Sequence, residues 1–144
     1  MARIDAFLKL GASQGCSDVH LAVGVPPMLR MNGELMPIKF RELGGAELEG
    51  YVNEILSPKQ REQFEQGHDI DFSYVSEEGD RFRVNFFHKD TGVGAVFRTI
   101  PSDVPTLESL NQPPVVTDFC DYHQGMVLVT GSTGTGKSTT LAAM

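Results

Sequence analysis

The chain predicts an α+β domain built round an antiparallel sheet over residues 1–100, followed by the opening of an α/β domain over residues 115–144. Three observations carry this. Period-two apolar runs recur between turn signals, two of them joined by Asn32-Gly33. Helical-period segments stand among these runs without following every strand. Past a proline-rich stretch at residues 101–114 the pattern changes to one unbroken apolar run leading into a glycine-rich loop.

Taken in order, Ile4, Phe7 and Leu8 fall at i, i+3 and i+4 and predict a short opening helix that Gly11 and Gly15 weaken at its end. Asp18 to Val23 alternates as a strand, and Asn32-Gly33 supplies the positive φ angles of a type I′ turn between Pro27–Met31 and Glu34–Phe40. Leu48, Val52, Ile55 and Leu56 lie on one helical face, which stops before Pro58. Ser57-Pro58-Lys59-Gln60 then starts a new helix with a cap, a first-turn proline and a capping-box glutamine; Phe64 packs and Gly67 ends it. Three alternating strands follow: Ile70, Phe72 and Tyr74; Phe82, Val84 and Phe86; and Val93 to Ile100. Four prolines between Pro101 and Pro114, with one helical turn at Thr106 to Leu110, read as an interdomain linker. Beyond it, Val115, Val116 and Phe119 predict a brief helix, and Met126-Val127-Leu128-Val129 predicts a strand covered on both faces.

Composition narrows the function. Twelve Lys and Arg against 19 Asp and Glu give a net charge of −7, so nucleic acid is not the expected partner. Cys16 and Cys120 offer neither zinc spacing nor a disulfide framework, which fits a reducing cytoplasm. No apolar stretch reaches the roughly 20 residues of a membrane span, and the start lacks a signal-peptide core, so a soluble, unexported protein is expected. His20, His68, His88 and His123 share no metal-ligand spacing and are expected as strand or surface residues. Met28, Met31 and Met36 are expected as core filler, and both cysteines as small buried hydrophobes.

Chemistry concentrates at Gly131-Ser132-Thr133-Gly134-Thr135-Gly136-Lys137-Ser138, which matches G-x-x-x-x-G-K-[ST]. Glycines let the backbone curl so that successive N–H groups point at phosphate oxygens, and a following helix adds partial positive charge at the same place. Lys137 is the candidate to bridge the β- and γ-phosphates of ATP. Ser138 is the candidate Mg²⁺ ligand, since that ion takes hard oxygen donors and shares its shell with phosphates and water; Thr139 follows in the same turn.

A second candidate lies in the last two strands. From Glu42 to Asp80 there are 11 acidic residues against Lys59 and Arg61, whereas from Arg81 to Arg98 four basic residues face Asp90 alone. A hairpin turning about Asp90 and Thr91 opposes Val84 to Phe97, Phe86 to Ala95 and Arg83 to Arg98. Two guanidinium groups then stand face to face, which disfavours the sheet unless something negative sits between them. An anion is one answer; solvation of the arginines, or pairing with the neighbouring acidic stretch, is the other.

Five segments in order carry a family resemblance: Gly15-Cys-Ser-Asp-Val-His-Leu21, Gly24-Val-Pro-Pro-Met-Leu-Arg-Met-Asn-Gly33, Arg81-Phe-Arg-Val-Asn85, Gly94-Ala-Val-Phe-Arg-Thr-Ile-Pro101 and Gly125 through Ala143. Together they resemble the PilT-type twitching-motility ATPases of the secretion ATPase superfamily, which serves type II and type IV secretion systems. The resemblance implies a PAS-like N-terminal domain over residues 1–100, the linker at 101–114, and the start of a RecA-like P-loop NTPase domain over 115–144, assembled as a homo-hexamer. It implies MgATP hydrolysis driving type IV pilus retraction, in the cytoplasm at the inner-membrane pilus base, with an inner-membrane pilus-base protein as partner. It also implies that Arg83 and Arg98, more than Arg81, act on the nucleotide. Ser132 and Thr135 stand where the family commonly has Pro and Ser, both at variable loop positions. A start directly on the opening helix favours the retraction branch. The Walker B acid and the family's later boxes are expected beyond Met144, so these 144 residues are not expected to turn over ATP alone. The alternatives are a pilus-assembly or type II secretion ATPase, and an N-terminal domain serving chiefly as a ring-building or interaction module.

Overall fold

Turn chemistry decides most of the sheet. In the computed structural model, which describes residues 2–101, 104–132 and 135–144, strands β2 (Met28–Met31) and β3 (Glu34–Pro37) are joined by Asn32 at φ 50° and Gly33 at φ 89°. Those two positive angles define the expected type I′ turn. β4 (Ile70–Val75), β5 (Arg81–Lys89) and β6 (Gly92–Ile100) form a meander whose last turn is Asp90-Thr91 alone, because Lys89 opposes Gly92. β1 (Asp18–Ala22) pairs with β2 on one side and β6 on the other, closing a six-stranded antiparallel sheet of order β3-β2-β1-β6-β5-β4. Val84 opposes Phe97, Phe86 opposes Ala95 and Arg83 opposes Arg98, the register the sequence predicts.

Helices α1 (Asp5–Ser13), α2 (Gly45–Ile55) and α3 (Pro58–Glu65) supply the other half of the core. Phe7 and Leu8, Leu48 and Val52, and Phe64 form one cluster with Val19, Leu21, Leu29, Phe82, Val84, Phe86 and Phe97 of the sheet. Ser57 caps α3 by accepting from the Gln60 amide, and the Gln60 side chain accepts from the Ser57 amide, with Pro58 in the first turn. Tyr74 donates to Asp5 at 2.7 Å, tying β4 to the start of α1. Strict alternation turns Asp18, His20, Arg30, Asp71, Arg83, Asn85, Val96 and Arg98 to the opposite face of the sheet from these helices. On that face the Phe87 ring lies across Gly94, its partner in the ladder, where an added Cβ would come within 2.5 Å of it.

Two expectations about small apolar residues are corrected. Met31 packs against the core, but Met36 is 44% exposed because β3 is an edge strand. Cys16 is buried, whereas Cys120 is exposed on α4 (Val115–Cys120), a helix with no buried residue.

The chain divides into two units, Met1–Pro101 and Ser102–Met144. Within the second, Leu110 closes a helical turn on the Thr106 carbonyl, α4 forms as the sequence predicts, and α5 spans Lys137–Ala143. The predicted strand at Met126–Val129 is not present. Met126 is 82% and Leu128 74% exposed, and no described strand pairs with the segment. A doubly covered strand exists only through neighbours that satisfy its amides and bury its faces, and apolar character alone cannot replace them.

Candidate phosphate-binding site

The glycine-rich loop is shaped by residues that only glycine suits. Gly131 sits at φ 150° and Gly136 at φ 87°, and Gly136 is the left-handed residue from which α5 departs. A Cβ on Gly131 would meet the Thr135 hydroxyl at 2.8 Å, so a side chain there would have to turn that hydroxyl aside. Thr135 Oγ1 donates to the Ser132 carbonyl at 2.9 Å, and Lys137 Nζ donates to the same oxygen at 2.6 Å. The first intrahelical bond of α5 runs from the Thr140 amide to the Gly136 carbonyl. The amides of Lys137, Ser138 and Thr139 precede it, as helix-start donors do in an anion-binding terminus. Ser138 and Thr139 are exposed in this first turn. Thr133 and Gly134, also predicted to line the loop, lie outside the described residues.

In the first unit the predicted arginine pair is assembled across β5 and β6. Asp71, Arg83, Asn85, Val96 and Arg98 line a depression of about 320 Å³ on the face away from the helices. The negative group that meets Arg98 lies on its other side, on β1, and is a residue that the sequence analysis passed over. Asp18 of β1 opposes Arg98, and its Oδ1 accepts from Arg98 Nε at 2.9 Å. Asp18 Oδ2 accepts from the Ser17 hydroxyl at 2.9 Å and faces Arg30 Nε at 3.4 Å. Arg30 Nη1 donates in turn to the Gly33 carbonyl of the hairpin turn at 3.0 Å. Burial works to raise the Asp18 pKa, but the Arg98 and Ser17 hydrogen bonds, with the Arg98 charge and His20, bring it below the ordinary carboxylate value. Asp18 is 4% exposed and ionised; Arg98 above it is 67% exposed.

Arg83 is held less closely. It is 71% exposed and stands 3.9 Å from Asp71, a member of the acidic stretch that is itself 59% exposed. Such a pair contributes little. The side chain of Arg81, on the same face one pleat along, makes no hydrogen bond or ion pair among the described residues. His20 Nε2 is buried without a hydrogen-bond partner among the described residues, and burial, then the charge of Arg30, lowers its pKa. Its ring therefore stays neutral at pH 7.

Sequence reasoning missed Asp18 and Arg30. The available signal was parity: Asp18 and His20 occupy the polar positions of an otherwise apolar strand. What the parity could not give was the β1–β6 pairing that sets Asp18 beside Arg98, 80 positions away.

A glycine-shaped loop that opens a helix, in a chain whose first unit sets two arginines face to face, matches the phosphate-loop pattern. No protein-family model matches the chain. Comparison with individual proteins is more informative. The chain is 46% identical to the type IV pilus retractation ATPase PilT of Pseudomonas aeruginosa over 141 residues, 98% of this chain and 41% of that protein. It is 44% identical to a twitching motility protein of Neisseria gonorrhoeae over 118 residues, 82% of this chain and 32% of that protein. Among solved structures, the pilus retraction motor PilT with bound ADP matches with a TM-score of 0.86 at 34% identity, over 100% of this chain and 42% of that one. The chain belongs to the PilT-type secretion ATPase family. It spans 41% and 32% of the lengths of these two curated relatives.

Proposed function

We propose that these residues belong to a hexameric motor subunit that binds and hydrolyses MgATP to power type IV pilus retraction. The observation that carries the proposal is the loop from Gly131 to Ser138, with its positive-φ glycines, its lysine and the helix that starts on Lys137. Similarity to PilT of Pseudomonas aeruginosa across nearly the whole chain supports the pilus assignment.

In this proposal Gly131, Ser132, Thr133, Gly134, Thr135 and Gly136 wrap the phosphates with backbone amides, and Lys137 leaves the Ser132 carbonyl to bridge the β- and γ-phosphates. Ser138, an exposed hydroxyl one residue into the helix, is a hard oxygen donor and fits the single protein ligand that a phosphate-bound Mg²⁺ takes from such a loop; Thr139 adds an amide. The ion supplies charge neutralisation of the phosphates. Arg83 and Arg98 act on the developing phosphate charge, in the same or a neighbouring subunit, as arginine fingers do. The antiparallel domain is the PAS-like part, residues 115–144 begin the RecA-like part, and the prolines at 101–114 form the hinge through which hydrolysis is coupled to motion. The protein works in the cytoplasm against an inner-membrane pilus-base protein, and residues 1–144 alone do not turn over ATP.

Lys137→Ala in the full-length protein tests the proposal. It is expected to lower ATP turnover at least a hundredfold, the scale of losing one preorganised charge at the transferring group. Normal turnover would refute the motor assignment.

A further inference from the structure

A carboxylate that is 4% exposed and shared between two arginines calls for an explanation other than stability. Desolvating such a charge costs about as much as its pairing returns, and apolar residues of similar size commonly serve a fold as well or better. The geometry offers another purpose. Asp18 takes the Nε–H of Arg98, and among the described residues the four terminal N–H groups of that guanidinium have no partner. The second carboxylate oxygen is fixed from the other side by the Ser17 hydroxyl and by Arg30, whose own fork is anchored on the hairpin turn at Gly33. Arg30 is thus committed to the fold, Arg83 has only a distant exposed carboxylate, and Arg98 is held at one edge while its other edge faces outward.

We infer that Asp18 is a positioning residue that orients Arg98, so that its terminal nitrogens meet a phosphate oxygen without first losing the freedom of a long side chain. The inference rests on the proposal that Arg98 acts on nucleotide phosphate. Planarity makes the device work: an acceptor on Nε fixes the plane in which the remaining donors lie, which no contact to a lysine ammonium could do. Asp18 also offsets the repulsion between Arg83 and Arg98 without occupying the donors either would use. Preorganisation of this kind appears in turnover more than in ground-state affinity, because the group is already placed when charge develops.

Steady-state ATP hydrolysis by the full-length protein, compared across wild type, Arg98→Ala, Asp18→Asn and the double variant, tests this. Arg98→Ala and Asp18→Asn are each expected to lower kcat by about tenfold to a hundredfold, with KM for ATP within about twofold of wild type. The double variant is expected to match Arg98→Ala alone, since a residue acting through Arg98 has nothing left to orient. A further loss in the double variant, or wild-type kcat in Asp18→Asn while Arg98→Ala is impaired, overturns the inference and leaves the arginine proposal standing. Wild-type kcat in Arg98→Ala removes both. Should Asp18→Asn fail to fold, Ser17→Ala loosens the same carboxylate while keeping both ion pairs. It is expected to lower kcat about twofold to fivefold in the wild-type background and not at all in Arg98→Ala; an unchanged kcat in the wild-type background overturns the inference.

Discussion

Gly94 and Phe87 show how a single position is specified on the sheet face away from the helices. The aromatic ring fills the space that the glycine leaves in the adjacent strand, a pairing that recovers contact where a strand glycine would lose it. Lys89 Nζ stands 5.4 Å from the centre of the same ring. Gly94→Ala forces the ring out and is expected to destabilise the fold by roughly 1–2 kcal/mol, read from the urea midpoint. The same change in a Phe87→Ala background is expected to cost a few tenths of a kcal/mol; an equal cost in both backgrounds would show that the ring is not what excludes the methyl. At this scale Lys137 could be singled out from local spacing alone, and Asp18 could not, because its partner depends on how β1 meets β6. The cysteines make the same point: Cys16 and Cys120 look alike in composition, and only packing separates the buried one from the exposed one.

Helix α1 lacks a side-chain cap, and its first residue, Asp5, is instead buried against Tyr74 of β4. Burial, then the hydrogen bond to Asp5 and the Asp5 charge, with Glu77 and Glu54 contributing less, push the Tyr74 pKa well above the ordinary tyrosine value. A group whose pKa is raised on folding gives its full contribution below the unfolded value near 10 and loses it as pH climbs toward the folded value. Tyr74→Phe is therefore expected to cost about 1 kcal/mol at pH 7 and to flatten the loss of stability above pH 10. Chemical denaturation from pH 7 to 11 decides this, and parallel alkaline limbs in the two proteins would contradict it. The hairpins and α3 were readable in advance because Asn32-Gly33, the Asp90-Thr91 symmetry and the Ser57–Gln60 box are contained within a few residues. Met126–Val129 misled for the opposite reason: its apolar run describes what a strand would bury, and the neighbours that would bury it are not among the described elements.

For the molecule as a whole, the two candidate sites fall in different units, with the loop in the second and the arginines in the first. If Arg83 serves the transition state and Lys137 the bound nucleotide, their losses must differ in kind. Arg83→Ala in the full-length protein is expected to reduce kcat about a hundredfold or more while the dissociation constant for ATP changes less than about threefold, as calorimetry and steady-state kinetics report. Equal losses in affinity and turnover would place Arg83 in ground-state binding, and no loss in either would leave it a solvated strand residue. Family membership was legible from five short segments. The acidic net charge gave no hint of the arginine face, since 11 carboxylates between Glu42 and Asp80 mask it in any whole-chain sum.

The strand order carries a kinetic consequence. β1 to β3 and β4 to β6 are each stitched by turns between sequence neighbours, whereas the seam between them joins Asp18 to Arg98 across most of the first unit. Loop-closure entropy makes local zippering quick and that seam late. A half-folded chain can therefore hold both three-stranded halves and still lack the Asp18–Arg98 contact, which forms only at the final join.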